Sequence, residues 1–225
     1  MVERQRRLVE LSHPIRHGLV TYPGLPGPEI TEHLSRERAA GLYGPDTSFH
    51  IGRISMVANT GTYLDSPFHR FATGADLAGI PLDRLADLEG MVVRVAGNGQ
   101  RAIERERLNG EEVRGKAVLL HTGWDRYWET PAYGVDAPFL TAGATHWLVE
   151  HGAALVGIDS VNIDDVGDKL RPAHTGLLRA GIPIVEHLCN LDQLPAQGFR
   201  FTAAPPAVAG LGTFPVRAFA VLDGE

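Results

Sequence analysis

Asn59-Thr60-Gly61-Thr62-Tyr63-Leu64-Asp65-Ser66-Pro67-Phe68-His69-Arg70-Phe71 is the stretch on which the reading of this chain turns. It follows a predicted strand, Ile51 to Val57. A regular helix is excluded, because Gly61 is a poor helix former and Pro67 biases Ser66 away from the α region. If the segment runs extended, Tyr63 and Asp65 point to one side and Leu64 to the other. Polar groups then stand on one surface above an apolar anchor, with His69 within reach. Taken alone, the same residues also suit a polar surface loop that happens to carry one histidine.

Working outward, short apolar runs alternate with turn residues. Leu8 to Leu11 reads as a strand ended by Ser12-His13-Pro14, and Tyr22 to Pro28 as a loop, since prolines remove donors and glycines add freedom. Thr31 to Gly41 is expected to be a short helix. Met91 to Val95 and Lys116 to Leu120 read as strands, the latter buried because Ala117-Val118-Leu119-Leu120 is wholly apolar. Thr141 is the expected N-cap of a helix that carries Trp147, Leu148 and His151 on a helical repeat. Leu155 to Asp164 is a strand running into a polar turn. His174 stands at the mouth of a helix ending near Gly181, and Ile182 to Glu186 is a strand with a carboxylate at its end. Phe199 to Ala203 and Phe214 to Leu222 close the chain as strands. Gly97 to Ala102 formally matches Gly-x-Gly-x-x-Ala, but a dinucleotide site would need a strand-to-helix turn and an acidic residue at the end of the next strand; a plain turn explains the glycines.

Composition removes several classes. With 225 residues, 44% hydrophobic and 21% charged, the chain reads as one globular domain over residues 1–225. A net charge of −6 argues against a nucleic-acid surface. The one basic cluster, Arg4, Arg6 and Arg7, reads as a solvated terminus. The single cysteine, Cys189, excludes an intrachain disulfide and a cysteine zinc site, and reads as a buried thiol. No apolar run reaches the roughly 18 residues of a membrane span, and the start lacks a signal-peptide core, so the cytoplasm is the expected location. The chain contains no Gly-x-Ser-x-Gly elbow, which sets aside a serine hydrolase.

The central segment resembles the signature of the cyclase family, which includes the bacterial metal-dependent kynurenine formamidases and isatin hydrolase. There it reads approximately His-x-Gly-Thr-His-x-Asp-(Ala/Ser)-Pro-x-His-Phe. This sequence keeps Gly61, Thr62, Asp65, Ser66, Pro67 and His69, with an Arg inserted before Phe71. The resemblance extends to the opening strand at Val9 to Ile15, to Thr122-Gly123-Trp124, to Gly157-Ile158-Asp159-Ser160 with Asp164, and to the pair His174 and Glu186. It implies an α/β fold of the swivelling β/β/α kind, a mixed sheet or barrel-like core flanked by helices. It also implies a homodimer or homotetramer that hydrolyses a small amide, formamide or cyclic amide; the charge and the apolar-run lengths above give no nucleic-acid or membrane partner.

Two positions depart from the family: Asn59 and Tyr63 stand where it has metal-binding histidines. Asp65, His174 and Glu186 are the stronger ligands left, suited to a divalent metal such as zinc or manganese. A metal could acidify water and polarise an amide carbonyl, with His69 as general acid and base by the resemblance. Tyr63 is the second catalytic candidate, as an acid or oxyanion donor. Asn59 and Trp124 are read as substrate-binding residues. Three outcomes stay open: a metal shifted onto Asp65, His174 and Glu186; a metal-free cyclase or lyase using Tyr63 and His69; or a silent relative that keeps the pocket for binding.

Overall fold

Strands that are apolar at every position belong inside a sheet covered on both faces, because successive side chains point to opposite sides. Ala117 and Leu119 enter one apolar layer, and Val118 and Leu120 the other. The computed structural model, which describes residues 6–44, 46–97 and 99–222, builds a nine-stranded mixed sheet around them. Its order is Arg7–Glu10, Phe219–Leu222, Gln197–Thr202, Leu88–Arg94, Ala117–His121, Leu155–Ile158, Ile184–Glu186, Tyr63–Asp65 and Thr213–Pro215. The four strands from Leu88–Arg94 to Ile184–Glu186 run parallel; the remaining pairings are antiparallel.

Helix α1 spans Arg36–Tyr43, α2 Ala142–Glu150 and α3 Pro172–Arg179. Helices α2 and α3 lie over the layer of Met91, Val118, Val156 and Ile184, through Ala144, Leu148, Ala173 and Leu177. Thr141 caps α2 as expected, its hydroxyl accepting from the Ala144 N–H at 3.3 Å. On the opposite face Gly157 is required by close packing: a Cβ there would meet Leu188 Cδ1 at 2.6 Å and Leu119 Cδ2 at 2.9 Å.

Several local expectations change. The helix expected over Thr31 to Gly41 starts later, because Glu29–Leu34 forms a strand paired with Ile51–Ser55 in an outlying ribbon. Ser35, accepting from Arg38 N–H, then caps α1. The final strand splits at Pro215, which cannot donate to a ladder, into Thr213–Pro215 and Phe219–Leu222. The Gly-x-Gly-x-x-Ala stretch leads into the two-residue strand Ala102–Ile103, with no helix N-terminus for a pyrophosphate; its Asn98 lies outside the described residues. Arg4 also lies outside them, whereas Arg7 opens the first strand. Among the described residues no helix is long and apolar enough to cross a membrane.

Candidate active site

The central segment runs extended at Tyr63–Asp65, and its alternation decides what the site contains. Leu64 and its neighbour Val185 enter one apolar layer. Tyr63 therefore faces the other way, beside its cross-strand partner Glu186, as does Asp65, paired with Ile184 on one side and Thr213 on the other. Ser66 then leads through Pro67 into a single 3-10 turn that ends at His69. Gly212 lets that turn approach, since a Cβ there would lie 2.4 Å from the His69 nitrogen. From the far side α3 brings His174.

Asn59, Tyr63, His69 and His174 line one cavity of about 520 Å³ with Tyr22, Pro23, Gly24, Leu25, Arg70, Asn162 and Arg171. Asp65 and Glu186 lie immediately beneath, 0% and 1% exposed. Residues more than 120 positions apart thus meet as the motif blocks suggested. Trp124 is not among the lining residues. Its indole N–H donates to the Tyr133 carbonyl at 2.8 Å, and it packs with Tyr22, Tyr127 and Trp128.

Two hydrogen-bond chains organise the floor. In the first, the Thr213 hydroxyl donates to Asp65 Oδ1 and stands 2.7 Å from His69 Nδ1. A hydroxyl has one proton, and an ionised carboxylate only accepts. Thr213 must therefore receive the Nδ1–H of His69, so that in the neutral imidazole Nε2 is the nitrogen without a proton. Burial works against the Asp65 charge, but the approach of His174, the charges of both histidines and the Thr213 hydroxyl hold its carboxyl below the usual range.

In the second chain, the Tyr63 hydroxyl donates to Glu186 Oε2 at 2.7 Å. His187 Nε2 lies 3.3 Å from the Tyr63 hydroxyl oxygen, and its Nδ1 lies 2.9 Å from the Tyr133 hydroxyl. One direction satisfies all four groups: Tyr133 donates to His187, His187 to Tyr63, and Tyr63 to Glu186. Burial, then the charges of Glu186 and Asp65, push the Tyr63 phenol well above its ordinary pKa. Burial holds His187 neutral, with a pKa of about 3. Tyr63 is thus a protonated donor, and a phenolate ligand is disfavoured.

Between the chains lies His174. Its Nδ1 is 2.6 Å from Asp164 Oδ2, and that carboxylate also accepts from the Ala173 and His174 backbone N–H groups at the start of α3. Its Nε2 stands 3.6 Å from both Asp65 Oδ2 and Glu186 Oε1, too far for a hydrogen bond. Burial opposes its charge, but Asp164, Asp65 and Glu186 together raise its pKa to about 10. Burial first, then the Asp65 charge, lift Glu186 to about 7.

These residues fit a divalent ion. Asp65 Oδ2 is buried without a hydrogen-bond partner, an expensive state for a carboxylate oxygen. Ligand atoms about 2.1 Å from a tetrahedral metal lie roughly 3.4 Å from one another, close to the separations at His174 Nε2. Asp164 on the other imidazole nitrogen is the partner that orients a metal-binding histidine. The ligand atoms that all lie within 4.8 Å of one another are those of Asp65, His69 and His174; the expected Glu186 is not in that group, although its Oε1 stands 3.6 Å from His174 Nε2.

Thr213, His187 and Arg171 were not legible as site residues: Thr213 sits outside every motif, and His187 and Arg171 merely adjoin Glu186 and Pro172. Asp164 carried a signal, as the second aspartate of the Gly157–Asp164 block. The first, Asp159, braces the 122–124 turn instead, accepting from the Thr122 and Gly123 N–H groups at 2.8 Å each. Burial raises its pKa to about 7.

The family model described as Putative cyclase matches residues 9–165. A kynurenine formamidase of Bacillus thuringiensis subsp. konkukian is 26% identical over 216 residues, covering 93% of this chain and 95% of the relative. Isatin hydrolase A from Ralstonia solanacearum superposes with a TM-score of 0.82 at 22% identity, over 96% of this chain and 92% of the other. A structure described as a potential metal-dependent hydrolase with cyclase activity superposes with a TM-score of 0.80 at 24% identity, covering 98% of this chain and all of the other (100%). The α/β architecture with its mixed sheet is that of these structures. With well over half its length matched by the family model and its motif residues gathered around one cavity, the chain belongs to the cyclase family.

Proposed function

We propose that this chain hydrolyses the C–N bond of a small amide, formamide or cyclic amide, N-formylkynurenine being the reference substrate, with His69 as general acid and base. The observation that carries the reading is the Asp65–Thr213–His69 chain, which puts a proton on His69 Nδ1 and so makes Nε2 the basic nitrogen of the neutral ring at the cavity. Water adds to the amide carbonyl carbon while His69 Nε2 takes its proton. The imidazolium so formed is stabilised by Asp65 through Thr213. As the C–N bond breaks, His69 returns the proton to the leaving nitrogen, giving a carboxylic acid and an amine. Asp65, His174 and Glu186 would hold zinc or manganese. When bound, the ion supplies Lewis acidity, acidifying water and polarising the carbonyl. Tyr63 keeps Glu186 oriented through its donated proton, and Asn59 faces the substrate. The resemblance adds a homodimer or homotetramer.

The test pairs metal content with turnover of N-formylkynurenine, formanilide and isatin. Glu186→Ala should lower bound zinc or manganese, while His69→Gln should retain it and lose turnover. Metal lost from His69→Gln and retained in Glu186→Ala would move the metal onto Asp65, His69 and His174. A parent protein inert towards all three compounds would favour a binding role.

A further inference from the structure

The cavity lining combines apolar Tyr22, Pro23 and Leu25 with Arg70, Arg171 and Asn162. The lining includes no carboxylate, because Asp65 and Glu186 are sealed below the floor. Among the described residues neither guanidinium forms an ion pair, whereas Arg16, Arg101, Arg105, Arg200 and Arg217 all do.

Both arginines are nevertheless held. Arg70 is exposed and donates through Nε to the Thr175 hydroxyl on α3 at 3.3 Å, so its two terminal nitrogens have no partner among the described residues. Arg171 donates through Nη1 to Asn162 Oδ1 and the Asp165 carbonyl, both at 3.2 Å, and through Nη2 to the Val166 carbonyl at 3.5 Å. Its backbone occupies the left-handed region, φ 51°, immediately before Pro172, a conformation that a non-glycine residue keeps only when its surroundings impose it. A guanidinium has five N–H donors in a planar fork that matches a carboxylate. Arg70 uses one and Arg171 three, so donors remain on both. Apart from its histidines, the lining offers an anion no cationic side chain but these two, so an anionic group pairs with the arginines and leaves an uncharged amide over His69.

We propose that Arg70 and Arg171 form a carboxylate subsite, so that the substrate is a small amide with a flat apolar body and a carboxylate remote from the bond that is cut. This rests on the reading of the cavity as an amide hydrolase. The test uses the full chain supplied with zinc or manganese and compares the three formamidobenzoate isomers with unsubstituted formanilide. The best isomer should show kcat/KM at least about tenfold above formanilide, the scale set by a charge-assisted contact. Arg70→Gln should remove most of that ratio, and Arg70→Lys should retain part of it. Equal kcat/KM for formanilide and every formamidobenzoate, or a loss in Arg70→Gln that is the same for both, overturns the subsite.

Calorimetry with benzoate and benzamide separates this proposal from the hydrolase reading. Benzoate binding that exceeds benzamide binding and weakens in Arg70→Gln upholds the subsite even if no formanilide is turned over. Benzoate binding that is unchanged in Arg70→Gln, as for an anion held elsewhere in the cavity, overturns it.

Discussion

Asp65 and Tyr63 stand two residues apart on one strand and face the same way, yet they enter different chemistries. The Asp65 half is ionic: a carboxylate with one oxygen unpartnered, beside His174 and linked through Thr213 to His69. The Tyr63 half is a closed chain in which Tyr133, His187, Tyr63 and Glu186 each give or receive one proton. The first half has capacity left over, for a cation at Asp65 Oδ2 and for a proton at His69 Nε2. The second keeps only Glu186 Oε1, which accepts from the Ile163 N–H at 2.6 Å and stands 3.6 Å from His174 Nε2, because its other hydrogen bonds pair its polar groups with one another. Tyr63, at the position where the resemblance has a metal-binding histidine, is here a hydrogen-bond donor within that chain.

The largest effect expected from this contrast is at His69. His69→Ala should reduce amide turnover by roughly 10²–10⁴, the span of a positioned general acid or base, and leave the fold intact because the side chain is 34% exposed. Steady-state kinetics beside a melting curve checks both parts; full turnover in a folded variant would place the acid and base elsewhere. Thr213→Val keeps the shape and removes the link to Asp65. A hydrogen bond to a charged group is worth about 1.5–3 kcal/mol, so turnover should fall by roughly 10–100-fold. Valine without any loss would show that Asp65 does not act through Thr213.

Across the divide, Tyr63→Phe should act mainly on stability. It leaves Glu186 Oε2 and His187 Nε2 without their shared partner, at a cost of about 1–3 kcal/mol in urea unfolding. A turnover loss as large as that of His69→Ala would instead make the phenol a reacting group and erase the contrast.

The smallest effect concerns His13, stacked on Trp128 at 3.9 Å behind the Tyr63 chain. Burial lowers its pKa from 6.5 to about 4. Between those values the unfolded chain binds a proton that the folded chain does not, so this contribution is complete above pH 6.5 and is lost as pH falls towards 4. Allowing for its partial exposure, the loss should be on the order of 1–2 kcal/mol. Urea midpoints at pH 7.5 and pH 5, with and without His13→Asn, measure it. An identical pH dependence in the variant would remove His13 from the account.

Local sequence determined the extended run at Tyr63–Asp65, the turn into His69, the apolar strands at 117–120 and 155–158, and the cap at Thr141. Each is a short-range consequence of proline geometry, side-chain alternation or a hydroxyl beside free N–H groups. The motif blocks also brought Asp65, His69, His174 and Glu186 forward as one set. Tertiary structure alone decided what those groups touch. Thr213 reaches Asp65 from 148 positions away because its strand is the neighbour of Tyr63–Asp65 in the sheet, and no periodicity encodes that adjacency. The same holds for His187, whose two ring nitrogens meet tyrosines 54 and 124 positions distant. Trp124 shows the converse, since its motif suggested substrate while its indole is spent on the Tyr133 carbonyl. Strand order and burial assign hydrogen-bond partners across the fold, and those partners, more than residue type, determine whether a tyrosine, a threonine or a histidine supports the site or carries out its chemistry.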